Sequence, residues 1–260
     1  MINVIKSILP LAIRIRAERL YKKIKPPRIT LDNFYSNGCV FEIINPMEEY
    51  RVISLADEEE FIRLLLEEIQ PGDILFDIGS CIGMHALHAA LYSAKVFAFE
   101  PDPSIRKRLK RNIKINKLKK DINVINWAVS NKKGKEILYT DGIEGNSPSL
   151  RLFGDRSFIE VDTDTIDNKL IHGDLPSPTL IKMDIEGAEI LALQGMKGLL
   201  TSEIAPRKVF IELHPEFLGY FNSSMEECMN IFKIYGYKLD YCKPRQNQIH
   251  CIYNKSNHYL

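Results

Sequence analysis

Apolar positions change rhythm several times along the 260 residues. Over residues 2–24, Ile5, Ile8, Ala12, Ile15 and Leu20 alternate with basic residues in a partly amphipathic helical pattern, which Pro26-Pro27 ends. Three short strand candidates follow, ITLDNF, CVFEII and YRVISL, with turn signals at Ser36-Asn37-Gly38 and Asn45-Pro46. From Asp57 onward helix and strand alternate. Phe61, Leu64 and Leu65 recur at helical spacing over 58–69, and Pro71-Gly72-Asp73 turns the chain into ILFDIG. KVFAFE, INVINWAV, TLIKMDI and KVFIELH are further strand candidates, separated by helical stretches such as SIRKRLKRNIKIN and AEILALQGMKGLL. Strands this continuously apolar predict a parallel sheet covered on both faces, an α/β fold. YKLDYC and IHCIYN, joined across Pro244 to Gln248, predict a closing antiparallel pair.

Composition narrows the classes. With 45% hydrophobic and 27% charged residues the chain can bury a globular core. A formal net charge of +1 provides no global attraction to nucleic acid. The charge is uneven, since residues 1–28 carry eight basic residues against Glu18 alone. A helix packed on the domain or on a second subunit is the preferred reading of that segment, and weak membrane-surface contact is the alternative. Cys39, Cys81, Cys228, Cys242 and Cys251 are odd in number and form no CxxC pair, which predicts a reducing, cytoplasmic setting. No apolar run approaches the roughly 20 residues of a membrane crossing, and no signal-peptide cleavage pattern follows the N-terminus.

Ligands of a parallel α/β sheet sit beyond the carboxyl ends of its strands, at the switch point beside the first strand. The stretch LFDIGSCIGMHAL puts Asp77, Gly79 and Gly83 there. A nicotinamide-binding turn requires a glycine where this chain has Cys81, so the phosphate cradle of a dinucleotide is missing. The remaining D-x-G-x-x-x-G suits a ligand with a cationic amino-acid end and no phosphate, which is the profile of S-adenosylmethionine. Asp77 would face its ammonium, and amides of the turn and helix N-terminus its carboxylate. Glu100, about 20 residues beyond the glycines at the end of KVFAFE, stands where a carboxylate accepts both hydroxyls of a ribose.

The second half of the chain offers the chemistry. Asp184 and Glu186 cluster around the end of TLIKMDI, and a carboxylate placed there is costly to bury without a partner. Glu189, in the first turn of the next helix, reads as an acid complementing the helix dipole. Period-two spacing puts Glu212 and His214 on one face of the next strand. His214, as a neutral imidazole near pH 7, is the candidate base for a hydroxyl proton. Mg²⁺ held by Asp184 with Glu212 or Glu186 is an alternative that is not favoured, and no metal residue is assigned. An NAD-dependent oxidoreductase and an inactive methyltransferase-fold interaction module remain as other classes.

In order and spacing, FDIGSCIG, VFAFEPDP, INWAVSNKKG, TDTID, LIKMDIEGAEILALQG and IELHP resemble the FkbM-type S-adenosylmethionine-dependent methyltransferases from about Glu58 through Phe217. The resemblance implies a class I, Rossmann-like sheet of seven mostly parallel strands with a C-terminal antiparallel hairpin. It also implies S-adenosylmethionine as donor and O-methylation of a hydroxyl on a small molecule, sugar or glycoconjugate; with the near-neutral charge, no nucleic acid partner is expected. Carried onto this chain, Asp77, Gly79, Gly83, Glu100, Asp102 and Ala128 fall in the donor-binding motifs, and Asp184, Glu186 and His214 in the catalytic ones. Ser80, Cys81, Met84, His85 and Ala86 depart from the Ala-Asn-x-Gly-Tyr-Tyr-Thr common in that family. The expected division is a basic helix with a small β extension over 1–56, and a methyltransferase domain over 57–260.

Overall fold

Short strands before the main sheet, β1 (Arg28–Leu31) and β2 (Cys39–Glu42), pair antiparallel. The apolar runs that follow become β3 (Ile74–Ile78), β4 (Lys95–Phe99) and β5 (Ile122–Ile125). A separate three-stranded sheet holds β6 (Ala128–Val129), β7 (Gly134–Tyr139) and β8 (Phe158–Asp164). The chain returns to the main sheet with β9 (Leu180–Met183), β10 (Lys208–Leu213), β11 (Tyr237–Arg245) and β12 (Gln248–Lys255). The computed structural model describes residues 26–32, 37–53, 58–140, 149–150 and 157–256. The helix expected over 2–24, any membrane or subunit contact through residues 1–28, and the expected boundary at 56/57 lie outside the described residues. Among those residues no helix is long and apolar enough to cross a membrane.

The main sheet runs β11-β12-β10-β9-β3-β4-β5, parallel except where β12 meets β10 and β11. β3 therefore lies between β4 and β9, and the loops leaving β3 and β9 diverge at its carboxyl end. That divergence opens the ligand crevice of an open α/β sheet.

Alternation along the strands builds two apolar layers. Leu75, Val96, Ala98, Leu180 and Phe210 join Phe61, Leu65, Leu87 and Leu109 from helices Glu59–Glu68, Met84–Leu91 and Pro103–Ile115. Phe76, Ile78, Ile181, Met183, Val209 and Ile211 pack with Leu193, Leu199 and Phe232 from the helices on the other face. A sheet buried on both sides needs such unbroken apolar strands.

The YRVI of YRVISL, expected as a strand, instead ends the helix Pro46–Ile53. The Asn45-Pro46 turn signal is a helix start: Asn45 Oδ1 accepts from Glu48 N at 2.7 Å, and proline occupies the first helical position. INVINWAV is divided into β5 and β6, and AEILALQGMKGLL into helices Glu189–Gly195 and Lys197–Thr201. Cys39, Phe41, Ile43 and Val52 share the layer that contains Phe61 and Leu87. The β1–β2 region and its helix are thus built into the core of the sheet.

A buried ion cluster ties the two regions together. Arg108 Nε and Nη2 donate to Glu48 at 2.8 and 3.2 Å. Its Nη1 donates to Glu42 Oε1 at 2.9 Å and Nη2 to the Glu42 carbonyl at 2.8 Å. Asn112 Oδ1 accepts from Glu42 N, and Arg111 pairs with Glu42 from the exposed side.

Candidate active site

A cleft of about 560 Å³ lies at the carboxyl ends of β3, β4, β9 and β10. Its floor is the turn after β3. Gly79 has φ +86°, and a Cβ built there would lie 1.8 Å from the Asp184 carbonyl oxygen. Asp184 N donates to the Ile78 carbonyl at 2.9 Å, while Gly79 N and Ser80 N both donate to the Phe99 carbonyl. The turn is thereby fastened to the loops on both sides, and only glycine fits. Gly83 caps the next helix at φ +98°, where a Cβ would meet the Leu87 and Leu109 side chains. Its role is close helix packing beneath the turn.

Glu100 forms one wall. Its Oε2 accepts from Cys81 N at 3.0 Å and its Oε1 from Asp102 N at 2.9 Å. Each oxygen accepts one of these bonds and has capacity for a second, and the residue lines the cleft. Burial raises the Glu100 carboxyl to about 8, with the Asp102 charge in the same direction and the two amides and Arg106 opposing. Ala128 lies on the same wall.

Two expected donor residues take other positions. Asp77 is wholly buried under the turn, in register with Lys182 on β9, and is not part of the cleft lining. Burial raises its pKa and the Lys182 charge opposes that rise. Asp102 caps helix Pro103–Ile115 through Ser104 N and Ile105 N, and its other oxygen accepts from Thr140 Oγ1. Its carboxylate is used in holding the helix start, and it is not part of the cleft lining.

Asp184, Glu186 and His214 converge on the opposite side. His214 Nε2 lies 3.4 Å from Glu186 Oε2 and 3.6 Å from Asp184 Oδ1. Nδ1 of the same ring is 2.8 Å from Glu189 Oε1, which also accepts from Gly187 N. Phe217 stacks on the imidazole with ring centroids 5.9 Å apart. Burial alone would lower the His214 pKa, but the hydrogen bond and charge of Glu189, with Glu186 and Asp184, raise it to about 10. The expected neutral imidazole is therefore not what these three acids favour. Glu189, expected only to complement a helix dipole, is fully buried and bound to the histidine. Its partner lies 25 residues further on, so no local pattern marks it.

Glu212 separates from His214 despite the period-two expectation, because His214 follows the last residue of β10 and leaves the strand's alternation. Glu212 accepts from Gln248 Nε2 at 2.6 Å and lies 3.1 Å from His250 Nε2. Burial opposes its ionisation, yet the His250 hydrogen bond and the Lys182 charge hold the carboxyl well below the usual range. Lys182 bridges the two groups, 3.4 Å from Asp184 Oδ2 and 4.0 Å from Glu212 Oε1. The cleft mouth is formed by Met47, Tyr50 and Arg51 of helix Pro46–Ile53 and by Arg245 to Gln248 around the β11–β12 turn.

The residues fit S-adenosylmethionine: a turn that excludes any Cβ, and a cleft-lining strand-end acid whose oxygens each accept only one amide. The sequence matches the Methyltransferase FkbM domain over residues 77–239. It is similar to the hexuronic acid methyltransferase AglP of Haloferax volcanii, 31% identical over 174 residues, covering 67% of this chain and 70% of that protein. The crystal structure of an FkbM methyltransferase from Methylobacillus flagellatus aligns with TM-score 0.46 and 19% identity over 70% of this chain and 43% of that one. Pyrococcus horikoshii TYW2, solved with MeSAdo, aligns with TM-score 0.45 and 20% identity over 85% of this chain and 70% of that one. With the family's domain matched over more than half its length, the chain belongs to the FkbM methyltransferases.

Proposed function

We propose that this methyltransferase transfers a methyl group from S-adenosylmethionine to a hydroxyl of a saccharide, with a uronic acid as the favoured acceptor unit. The observation that carries the reading is that one cleft opposes the Glu100–Gly79 wall to the Asp184, Glu186 and His214 cluster. The similarity to a hexuronic acid methyltransferase supports a sugar acid. The five free cysteines accord with a cytoplasmic setting. Residues 57–260 form the catalytic domain in this reading, with 1–56 as its extension.

Glu100 takes the ribose hydroxyls, and the Gly79 turn admits the amino-acid end of the donor. S-adenosylmethionine, when bound, would supply an electrophilic methyl carbon to the acceptor oxygen, the sulfur keeping the electron pair of the bond it gives up. The residues contribute mainly position: holding the acceptor oxygen in line accounts for much of the rate. Asp184 and Glu186, partly exposed to the cleft, orient the hydroxyl and receive its proton, while Glu189 and Phe217 fix the ring of His214 beside them.

Isotopically labelled donor incubated with glucuronic acid-terminated and glucose-terminated oligosaccharides tests the reading. Label is expected in a methyl ether of the uronic unit. A methyl ester, or no transfer to any saccharide by protein that binds S-adenosylhomocysteine, rejects the proposed acceptor.

Glu100 gives a pH signature. A carboxyl raised to about 8 holds its proton at pH 6 and must release it to accept both ribose hydroxyls. S-adenosylhomocysteine affinity is expected to climb as pH rises toward 8, by at most about tenfold per unit, and to level above it. Glu100→Gln should bind more weakly at pH 8.5 and lose the slope. Titration calorimetry showing the same slope in both proteins would place the proton elsewhere.

A further inference from the structure

We propose that Asp184, Glu186 and His214 bind one divalent first-row transition-metal ion at the acceptor end of the cleft, with Glu189 orienting the imidazole. This deepens, and rests on, the reading of the cleft as a methyl-transfer site. One ligand atom from each of the three residues lies within 4.8 Å of the others. The His214 Nε2 separations of 3.4 and 3.6 Å exceed hydrogen-bond length. They approach the roughly 3.0–3.4 Å between neighbouring ligands of an ion bound at about 2.1 Å.

The second observation is the histidine itself. His214 is 3% exposed, and its Nε2 has no hydrogen-bond partner although it points at two carboxylates. Nδ1 is committed to the fully buried Glu189, whose carboxylate holds the proton on that nitrogen and leaves Nε2 as the atom that would face an ion in place of its own proton. A carboxylate behind a histidine in this way is the usual support of a metal-binding imidazole. Asp184 is held similarly, since Lys182 takes Oδ2 and leaves Oδ1 toward the histidine.

The Asp184 and Glu186 side chains are 29% and 18% exposed, so an ion held by three protein ligands keeps positions open to water or acceptor hydroxyls. Two carboxylates with an imidazole suit Mn²⁺ or its neighbours better than Mg²⁺ or Ca²⁺, which favour all-oxygen shells. A cation there would offset the carboxylate charge and hold a sugar hydroxyl by its oxygen, making the proton easier to lose.

The test uses the full chain, stripped with chelator and titrated with Mn²⁺ while the electron paramagnetic resonance of free Mn²⁺ is followed. One ion per chain is expected. Asp184→Asn and His214→Ala should each weaken binding at least 100-fold, and Glu189→Gln by about 10–100-fold. S-adenosylhomocysteine affinity, measured on the same samples, should stay within a few fold of wild type and report folding. Should His214→Ala lose that affinity, Asp184→Asn at the cleft edge decides. No Mn²⁺ uptake, or uptake unchanged in Asp184→Asn, overturns the metal site. Methyl transfer that continues in the stripped protein would then leave the proposed function standing, whereas failure to bind S-adenosylhomocysteine removes the function itself.

Discussion

Alanine at Gly79 is expected to abolish S-adenosylhomocysteine binding and reduce methyl transfer more than 100-fold. The added Cβ would lie 1.8 Å from the Asp184 carbonyl oxygen, a backbone atom that no rotamer change can move. Relief requires the β3 and β9 loops to part, breaking the Asp184 N to Ile78 carbonyl bond and displacing Asp184 from the cleft. Overpacking of this kind costs about 1–3 kcal/mol, and φ +86° adds about 1–2 kcal/mol for a residue with a side chain. Gly72→Ala is the control: φ there is +90°, but nothing lies within 4 Å of the added carbon. It should lose some stability and keep donor affinity. Equal affinity in the Gly79 and Gly72 variants would show that the close approach does not govern the site.

Removing Arg108 has the largest expected effect on stability. Arg108→Ala leaves Glu48, 1% exposed, without its cationic partner, and Glu42, equally buried, with Arg111 alone. Breaking a buried pair from one side costs about 3–5 kcal/mol, because the stranded charge remains out of water. For a chain of this size that corresponds to a fall in Tm of roughly 6–20 °C. Replacing all three together, Arg108→Met with Glu42→Gln and Glu48→Gln, should recover much of the loss. Calorimetry showing an unchanged Tm for Arg108→Ala would mean the cluster does not hold the β1–β2 region to the sheet.

The strands around the cleft were legible because burial on both faces leaves no room for polar alternation, as ILFDIG and KVFIELH show. Glu100 was legible for a similar reason, its distance from the glycine turn being fixed by one helix and one strand. YRVISL misleads because its β-branched residues suggest a strand while the deciding residues, Asn45 and Pro46, precede it. Strands β7 and β8 went unmarked, being polar and largely exposed in a sheet with little core of its own. Within the candidate site, spacing brought out Asp184, Glu186 and His214, but not which of them share partners. The Glu189–His214 bond joins two elements, and the separation of Glu212 from His214 depends on where β10 stops. Asp102 shows the converse: the resemblance to the family made it a donor candidate, whereas a proline at the next position marks it equally well as a helix cap.

The cleft draws its floor and its mouth from different parts of the chain. Gly79, Glu100, Ala128, Asp184, Glu186 and His214 all fall within residues 77–239 that match the family, while Met47, Tyr50, Arg51 and Arg245 to Gln248 do not. Reaction and recognition can therefore diverge independently over evolutionary time. Under the proposed function, substitutions at the mouth can change which acceptor enters without passing through an intermediate that has lost the donor, and a duplicated gene can acquire a new acceptor while its chemistry stays fixed.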